Sequence, residues 1–197
     1  MSGARARLGF DRVACLRGPR LLFEDLSFAL GPGEAALVTG PNGIGKSSLL
    51  RIAAGLLDAA AGRVERRGRI ALVNEAAALD AQASLATALG FWAVIDGRTP
   101  ADIDVGLAAM DIAALAEVPV RMLSTGQRRR AALARTIASG ADIWLLDEPG
   151  NGLDSDSLAR LADAMATHRA GGGIVLAASH QPLGLIDAIP IRLAVAA

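Results

Sequence analysis

The only lysine of this chain, Lys46, lies inside Gly40-Pro41-Asn42-Gly43-Ile44-Gly45-Lys46-Ser47-Ser48, and every other basic residue is arginine. The segment completes the pattern G-x-x-x-x-G-K-[ST], a loop whose backbone cradles phosphate groups. It lies between an apolar run at residues 34–39 and a stretch at 47–57 whose apolar residues recur with helical spacing. That context dictates a strand, a tight glycine loop and a helix. Gly40, Gly43 and Gly45 let successive backbone N–H groups turn toward an anion. Lysine brings a compact, mobile ammonium to phosphate oxygens, where a planar guanidinium fork is bulkier and more directional. The Ser47 hydroxyl is placed to ligate Mg²⁺ beside the phosphates.

Around this loop, 197 residues are enough for one substantial core. Basic and acidic residues balance at 20 each, so net charge gives no argument for nucleic acid or for an anionic membrane surface. A nucleic-acid partner is therefore not expected. The single cysteine, Cys15, has no intrachain disulfide partner, which fits a reducing compartment; it reads as a small buried hydrophobe. Arg5 and Arg7 are not followed by an apolar stretch of signal-peptide type. The most apolar long segment, residues 76–95, is interrupted by Asp80, Gln82, Ser84 and Thr87 and does not read as a membrane span.

Residues 8–16 and 21–30 read as two strands joined by a turn at 17–20, and 34–39 as the strand entering the loop. Short strands are expected at 62–65 and 69–74 around Gly68. Residues 76–125 read as a compact helical subdomain, broken near Gly97 and Pro100. Beyond it, helices at 126–139 and 155–169 alternate with strands at 142–146 and 173–178, and a closing strand is expected at 191–197. Apolar strands alternating with helices predict a mostly parallel, buried sheet in an α/β fold, within a single domain spanning residues 1–197.

Four apolar residues at 143–146 lead into Asp147 and Glu148. Such a strand delivers carboxylates to the edge of the sheet where ligands bind. Asp147 is placed to hold Mg²⁺ and Glu148 to polarise an attacking water as general base; a turn or helix-capping role is the alternative for Asp147. Leu123-Ser124-Thr125-Gly126-Gln127 opens a helix, with Ser124 and the Gly126 amide in an anion-binding position or simply in a capped helix start.

Phosphate loop, L-S-x-G-Q and Asp-Glu strand occur in the order found in ATP-binding cassette proteins, and the chain resembles that family over essentially its whole length. The resemblance implies a P-loop NTPase fold with an N-terminal antiparallel β subdomain, ATP and Mg²⁺ as ligands, and ATP hydrolysis as the activity. It makes His180 the switch histidine that steadies the attacking water. Ser124, Gly126 and Gln127 become the signature that grips the nucleotide of a second copy, so two cassettes pair when ATP is bound. Asp154, in Gly152-Leu153-Asp154, becomes the residue linking the two sites. Where the family places a glutamine after the strand at 69–73, this chain has Glu75, whose carboxylate could reach Mg²⁺ or water at the cost of added negative charge. A weakly hydrolysing ATP-gated switch is the reading Glu75 motivates. Gly150-Asn151 departs from the bulkier residues usual after Asp-Glu-Pro.

Residues 123–135, 172–176 and 179–183 resemble one branch of the family, the ATP-binding subunit of the haem exporter of cytochrome c maturation. That branch lacks the aromatic residue that stacks on adenine; here Arg17 stands at that place, either stacking its guanidinium plane on the base or remaining a solvated turn residue. The resemblance implies integral membrane transporter subunits as partners, a peripheral place on the cytoplasmic face of the inner membrane, and no direct contact with haem. Export of another cargo remains the alternative, because cargo choice lies in the membrane partners.

Overall fold

In the computed structural model, which describes residues 6–74 and 78–194, the strands divide between two sheets. The first is antiparallel. Strand β1 (Arg7–Arg17) turns at Gly18 (φ 58°) into β2 (Arg20–Leu30), and β4 (Ala61–Arg67) pairs along the other edge of β1. Its inner face buries Leu8, Phe10, Val13 and Cys15, while Phe10 stacks on Phe28 at 4.6 Å.

The second sheet is wholly parallel, in the order β5-β6-β7-β3-β8. It comprises β3 (Ala35–Thr39), β5 (Ile70–Val73), β6 (Ile143–Asp147), β7 (Ile174–Ala178) and β8 (Ile189–Arg192). Successive residues of its strands enter two different cores. Ile143, Leu145, Ile174 and Leu176 pack with helix α1 (Lys46–Ala54) and the antiparallel sheet. Trp144, Leu146, Val175 and Ala177 pack toward the remaining helices. Burial on both faces is why these strands read as unbroken apolar runs rather than as alternation.

Those helices are α2 (Leu85–Ile95), α3 (Pro100–Ala109), α4 (Thr125–Ala138) and α5 (Ser155–Ala170), with 3₁₀ turns at Ala113–Leu115 and Val120–Met122. The break expected near Gly97 and Pro100 is real: Gly97 takes φ 66°, Pro100 begins α3, and Thr99 with Asp102 forms a capping box. Helix α3 lies so close to α4 that a Cβ on Gly106 would overlap the Ala134 carbonyl oxygen.

The strands expected on either side of Gly68 both form, β4 in the antiparallel sheet and β5 in the parallel one. The turn between them is fixed by Asp142, which accepts from the Arg69 amide at 2.7 Å. The closing strand begins earlier, at Ile189, and residues 195–197 lie outside the described residues. It contains Pro190, tolerated because β8 is an edge strand and one missing N–H costs no ladder bond on the open side. Parallel pairing then sets the functional edge: Val38 and Asp147 both stand level with Ala178, so the loops leaving β3, β6 and β7 emerge at one rim.

Candidate functional site

Residues 40–48 form a loop that runs from the end of β3 into α1. Gly40, Gly43 and Gly45 have φ of 147°, 75° and 116°, backbone that side chains rarely adopt. Gly45, the N-cap of α1, also lies against β2: an added Cβ would stand 3.2 Å from Leu22 Cβ and Phe23 Cδ1. The Ile44 side chain turns inward and is 3 % exposed, so this residue can offer a ligand only its backbone. Lys46 is buried; its ammonium donates to the Gly40 carbonyl at 2.9 Å and the Pro41 carbonyl at 3.4 Å. No acidic residue occupies the first turn of α1, leaving its positive dipole end open to an anion.

The Glu148 carboxylate spans the gap between loop and rim. Its Oε1 is 3.8 Å from Lys46 Nζ and its Oε2 is 2.8 Å from His180 Nδ1. His180 comes after β7, in a turn where the buried Ser179 hydroxyl donates to the Gln181 carbonyl. Glu148 itself has φ 47°, an unusual backbone for a residue with a side chain. Asp147 is partly buried, and among the described residues its Oδ1 has no hydrogen-bond partner. Burial pushes its carboxyl above the ordinary carboxylate range; the Ser47 hydroxyl bonds it and pulls it back, and neighbouring Glu148 pushes it up again. A buried carboxylate with one oxygen unpartnered, standing beside a serine hydroxyl, is an all-oxygen donor set of the kind Mg²⁺ takes.

Lys46, Glu148 and His180 face a cleft of about 430 Å³ whose lining does not include Asp147, set behind Ser47 and Glu148; it is lined also by Asn42, Gly43, Gly45, Ser47 and Ser48, together with Leu22 and Asn151. The last two are not expected from the sequence. Leu22 comes from a strand distant in the chain, and no sequence signal marks it out from its apolar neighbours Leu21 and Phe23. Asn151 stands out in the sequence solely as a departure from family pattern.

Other expected residues stand apart from that cleft. Arg17 is exposed at the end of β1, paired with Arg20, and does not line it. Ser124 is the N-cap of α4; its hydroxyl accepts from the Gln127 amide at 3.2 Å while Gln127 Oε1 accepts from the Ser124 amide at 2.8 Å. Gly126 faces the Gly152 carbonyl, 3.1 Å from where a Cβ would be. Asp154 caps α5 by accepting from the Ser157 amide at 2.8 Å, and bonds from Ser157 hold its carboxyl below the usual value. Glu75 lies outside the described residues.

A residue that sequence reasoning passes over sits behind the rim. Arg129 of α4 is 8 % exposed and donates to the backbone carbonyls of Asn74, Asp147, Glu148 and Pro149. Its only sequence signal is an arginine three and four residues before Ala132 and Leu133 on a buried helix face.

Residues 23–151 match the family described as ABC transporter. The chain is 61 % identical over 180 residues to the cytochrome c biogenesis ATP-binding export protein CcmA of Sphingopyxis alaskensis, covering 91 % of this chain and 93 % of that one. It is 53 % identical over 182 residues to the protein of the same description from Zymomonas mobilis, covering 92 % and 82 %. An ATP-bound bacterial Atm1-family ABC exporter shares the fold, with a TM-score of 0.83 at 22 % identity, covering 98 % of this chain and 39 % of that one. With its phosphate loop, its paired carboxylates and its capped signature helix, this chain belongs to the ABC transporter family of ATP-binding proteins.

Proposed function

We propose that the chain is the ATP-hydrolysing subunit of an exporter that serves cytochrome c biogenesis. The observation that carries the chemistry is the placement of Glu148, with one oxygen 2.8 Å from His180 and the other 3.8 Å from Lys46. Lys46 and the N-terminus of α1 bind the phosphates. Glu148 accepts a proton from the attacking water, and His180 steadies that water at the γ-phosphate. Ser47 and Asp147 would hold Mg²⁺, which when bound neutralises charge on the phosphate oxygens. The biogenesis role rests on likeness to the Sphingopyxis and Zymomonas proteins.

Ser124, Gly126 and Gln127 do not line the cleft of their own chain. That supports pairing of two copies head to tail, each offering its signature helix to the other's nucleotide, with opening when the γ-phosphate is lost. Among the described residues no helix is long and apolar enough to cross a membrane. Likeness to the CcmA proteins supports separate integral membrane subunits as partners, with this chain at the cytoplasmic face of the inner membrane and haem never touching it.

The test is Mg²⁺-dependent ATP turnover by the chain with its membrane subunits, beside Lys46→Ala and Glu148→Gln. Lys46→Ala is expected to abolish nucleotide binding, whereas Glu148→Gln keeps binding, lowers turnover by at least about a hundredfold and accumulates an ATP-bound dimer. Glu148→Gln turning over at the wild-type rate would sink the assignment of the base. Normal c-type cytochromes in cells carrying only Lys46→Ala would sink the role in biogenesis.

A further inference from the structure

We propose that Arg129 is a positioning residue that holds Glu148 in its working geometry and ties that geometry to the signature helix; this rests on Glu148 being the general base. Three consecutive carbonyls, those of residues 147, 148 and 149, converge on one guanidinium, at 2.8 Å for Asp147 and 3.2 Å for Pro149. Consecutive carbonyls point apart in extended chain, so this convergence needs a reversal of the backbone. The reversal is the left-handed conformation of Glu148, φ 47°. Such backbone is unfavourable for a residue with a Cβ and persists where its surroundings impose it.

The guanidinium fork is suited to this. Its five N–H donors lie in one plane with fixed directions, whereas an ammonium is a point charge on a flexible stem. A fourth bond, 2.9 Å to the Asn74 carbonyl, fixes the end of β5 as well. Arg129 is buried, so these bonds are shielded from water and cannot be exchanged for it at no cost. It also lies on α4, close behind Ser124 and Gln127, whose capping box forms the N-terminus of that helix. A shift of α4 when its N-terminus engages a nucleotide would thus be delivered to the backbone of Glu148. Glu148 is the residue whose carboxylate must stay within reach of His180 and the water.

The experiment compares wild type with Arg129→Lys, Arg129→Gln, Glu148→Gln and the double variant Arg129→Gln/Glu148→Gln, all as full chains with the membrane subunits. Misplacing a reacting group by about 1 Å costs on the order of a hundredfold. Arg129→Lys and Arg129→Gln are therefore expected to lower kcat about ten- to a hundredfold while KM and the Kd for a fluorescent ATP analogue stay within about twofold. The double variant should turn over no more slowly than Glu148→Gln alone, because Arg129 acts through Glu148. Wild-type kcat in Arg129→Lys, a loss that multiplies with that of Glu148→Gln, or a kcat loss matched by lost ATP affinity would each overturn the proposal. A crystal structure of whichever Arg129 variant yields soluble protein reads the same point without turnover: Glu148 should leave positive φ and its contact with His180, and an unmoved Glu148 refutes the proposal. Should wild type itself fail to hydrolyse ATP while Glu148 moves in that structure, the reading of the site as an ATPase fails and the positioning role stands.

Discussion

Replacing Asp147 with Asn should stabilise the metal-free protein while removing its response to Mg²⁺. The wild-type carboxylate is partly buried, has an oxygen without a partner and stands beside Glu148. Its proton affinity is raised, first by burial. The folded chain therefore holds this proton more tightly than the unfolded chain. Stability from the group is fully present below its ordinary pKa of 3.8 and is lost as pH rises through the higher folded value. Asn has the same shape and no charge to desolvate, so the gain is expected at neutral pH and should vanish near pH 4. Asn keeps the acceptor and removes only the cost of desolvating charge; discounted for partial exposure, the expected gain is about 1 kcal/mol or less, at most about 2–4 °C in Tm for a chain of this size. With ligand the order should reverse. Binding at a hundredfold over Kd stabilises wild type by about 2.7 kcal/mol, and the variant should lose the part that depends on Mg²⁺. Thermal unfolding tracked by circular dichroism, at pH 7.5 and pH 4 in EDTA and then at pH 7.5 with ATP in EDTA and with ATP and Mg²⁺, measures these differences for both proteins. An Asn variant that is less stable in EDTA at pH 7.5, or that keeps the full Mg²⁺-dependent shift, would refute the reasoning.

Two further predictions concern the scaffold. Gly106→Ala should destabilise by about 1–2 kcal/mol, because its Cβ overlaps the backbone of α4 and the strain exceeds the gain in helix propensity; Gly90→Ala, on α2 with open space around it, should instead stabilise by about 0.5–1 kcal/mol in the same urea titration. His168 is stacked on Trp144 at 4.0 Å, and burial depresses its proton affinity despite bonds to the Ile174 and Asp142 backbone and the charge of Asp142. The unfolded chain then takes the proton first, so stability present above about pH 6.5 falls on acidification, by at most about 1.4 kcal/mol per pH unit, and His168→Phe should flatten Tm between pH 7.5 and 5.5.

What the sequence showed plainly was local. The phosphate loop, the Asp-Glu pair and the Ser124 cap each depend on a few neighbouring residues at the end of one element, so spacing along the chain is spacing in the fold. The parallel sheet was legible for a related reason: strands buried on both faces carry uninterrupted apolar runs, as Ile174–Ala178 does. Contacts made between distant segments were not legible. Leu22 reaches the cleft because β2 lies over Gly45, and nothing in residues 20–30 records that. Arg129 looked like one of three successive arginines, yet Arg128 is exposed and Arg129 is buried, a difference set by where α4 meets the ends of β5 and β6. The parting of β4 from β5 was hidden too, since it turns on Asp142 capturing the Arg69 amide from 73 positions away.

The carbonyls and carboxylates at the rim divide the candidate site into two parts. Lys46, Ser47, Asp147, Glu148 and His180 arrive on three parallel strands, and pairing fixes those strands to one another. The signature helix is different. It joins the rim through Arg129, through the packing of Gly126 on the Gly152 carbonyl, and through the core it shares with α3. Ladder hydrogen bonds between strands resist rigid-body shifts, whereas packed helices slide by small amounts at low cost. In the proposal for Arg129, the strand-borne groups are the fixed half of the site and α4 the half free to shift. Among the described residues, Arg129 of α4 reaches the turn at 147–149 that carries the carboxylates and, beside it, the Asn74 carbonyl at the end of β5. A helix seated by nucleotide from a second copy would set that turn, and a helix drawn away would release it. Under the proposed function, binding at the signature and chemistry at Glu148 would then be two readings of one movement.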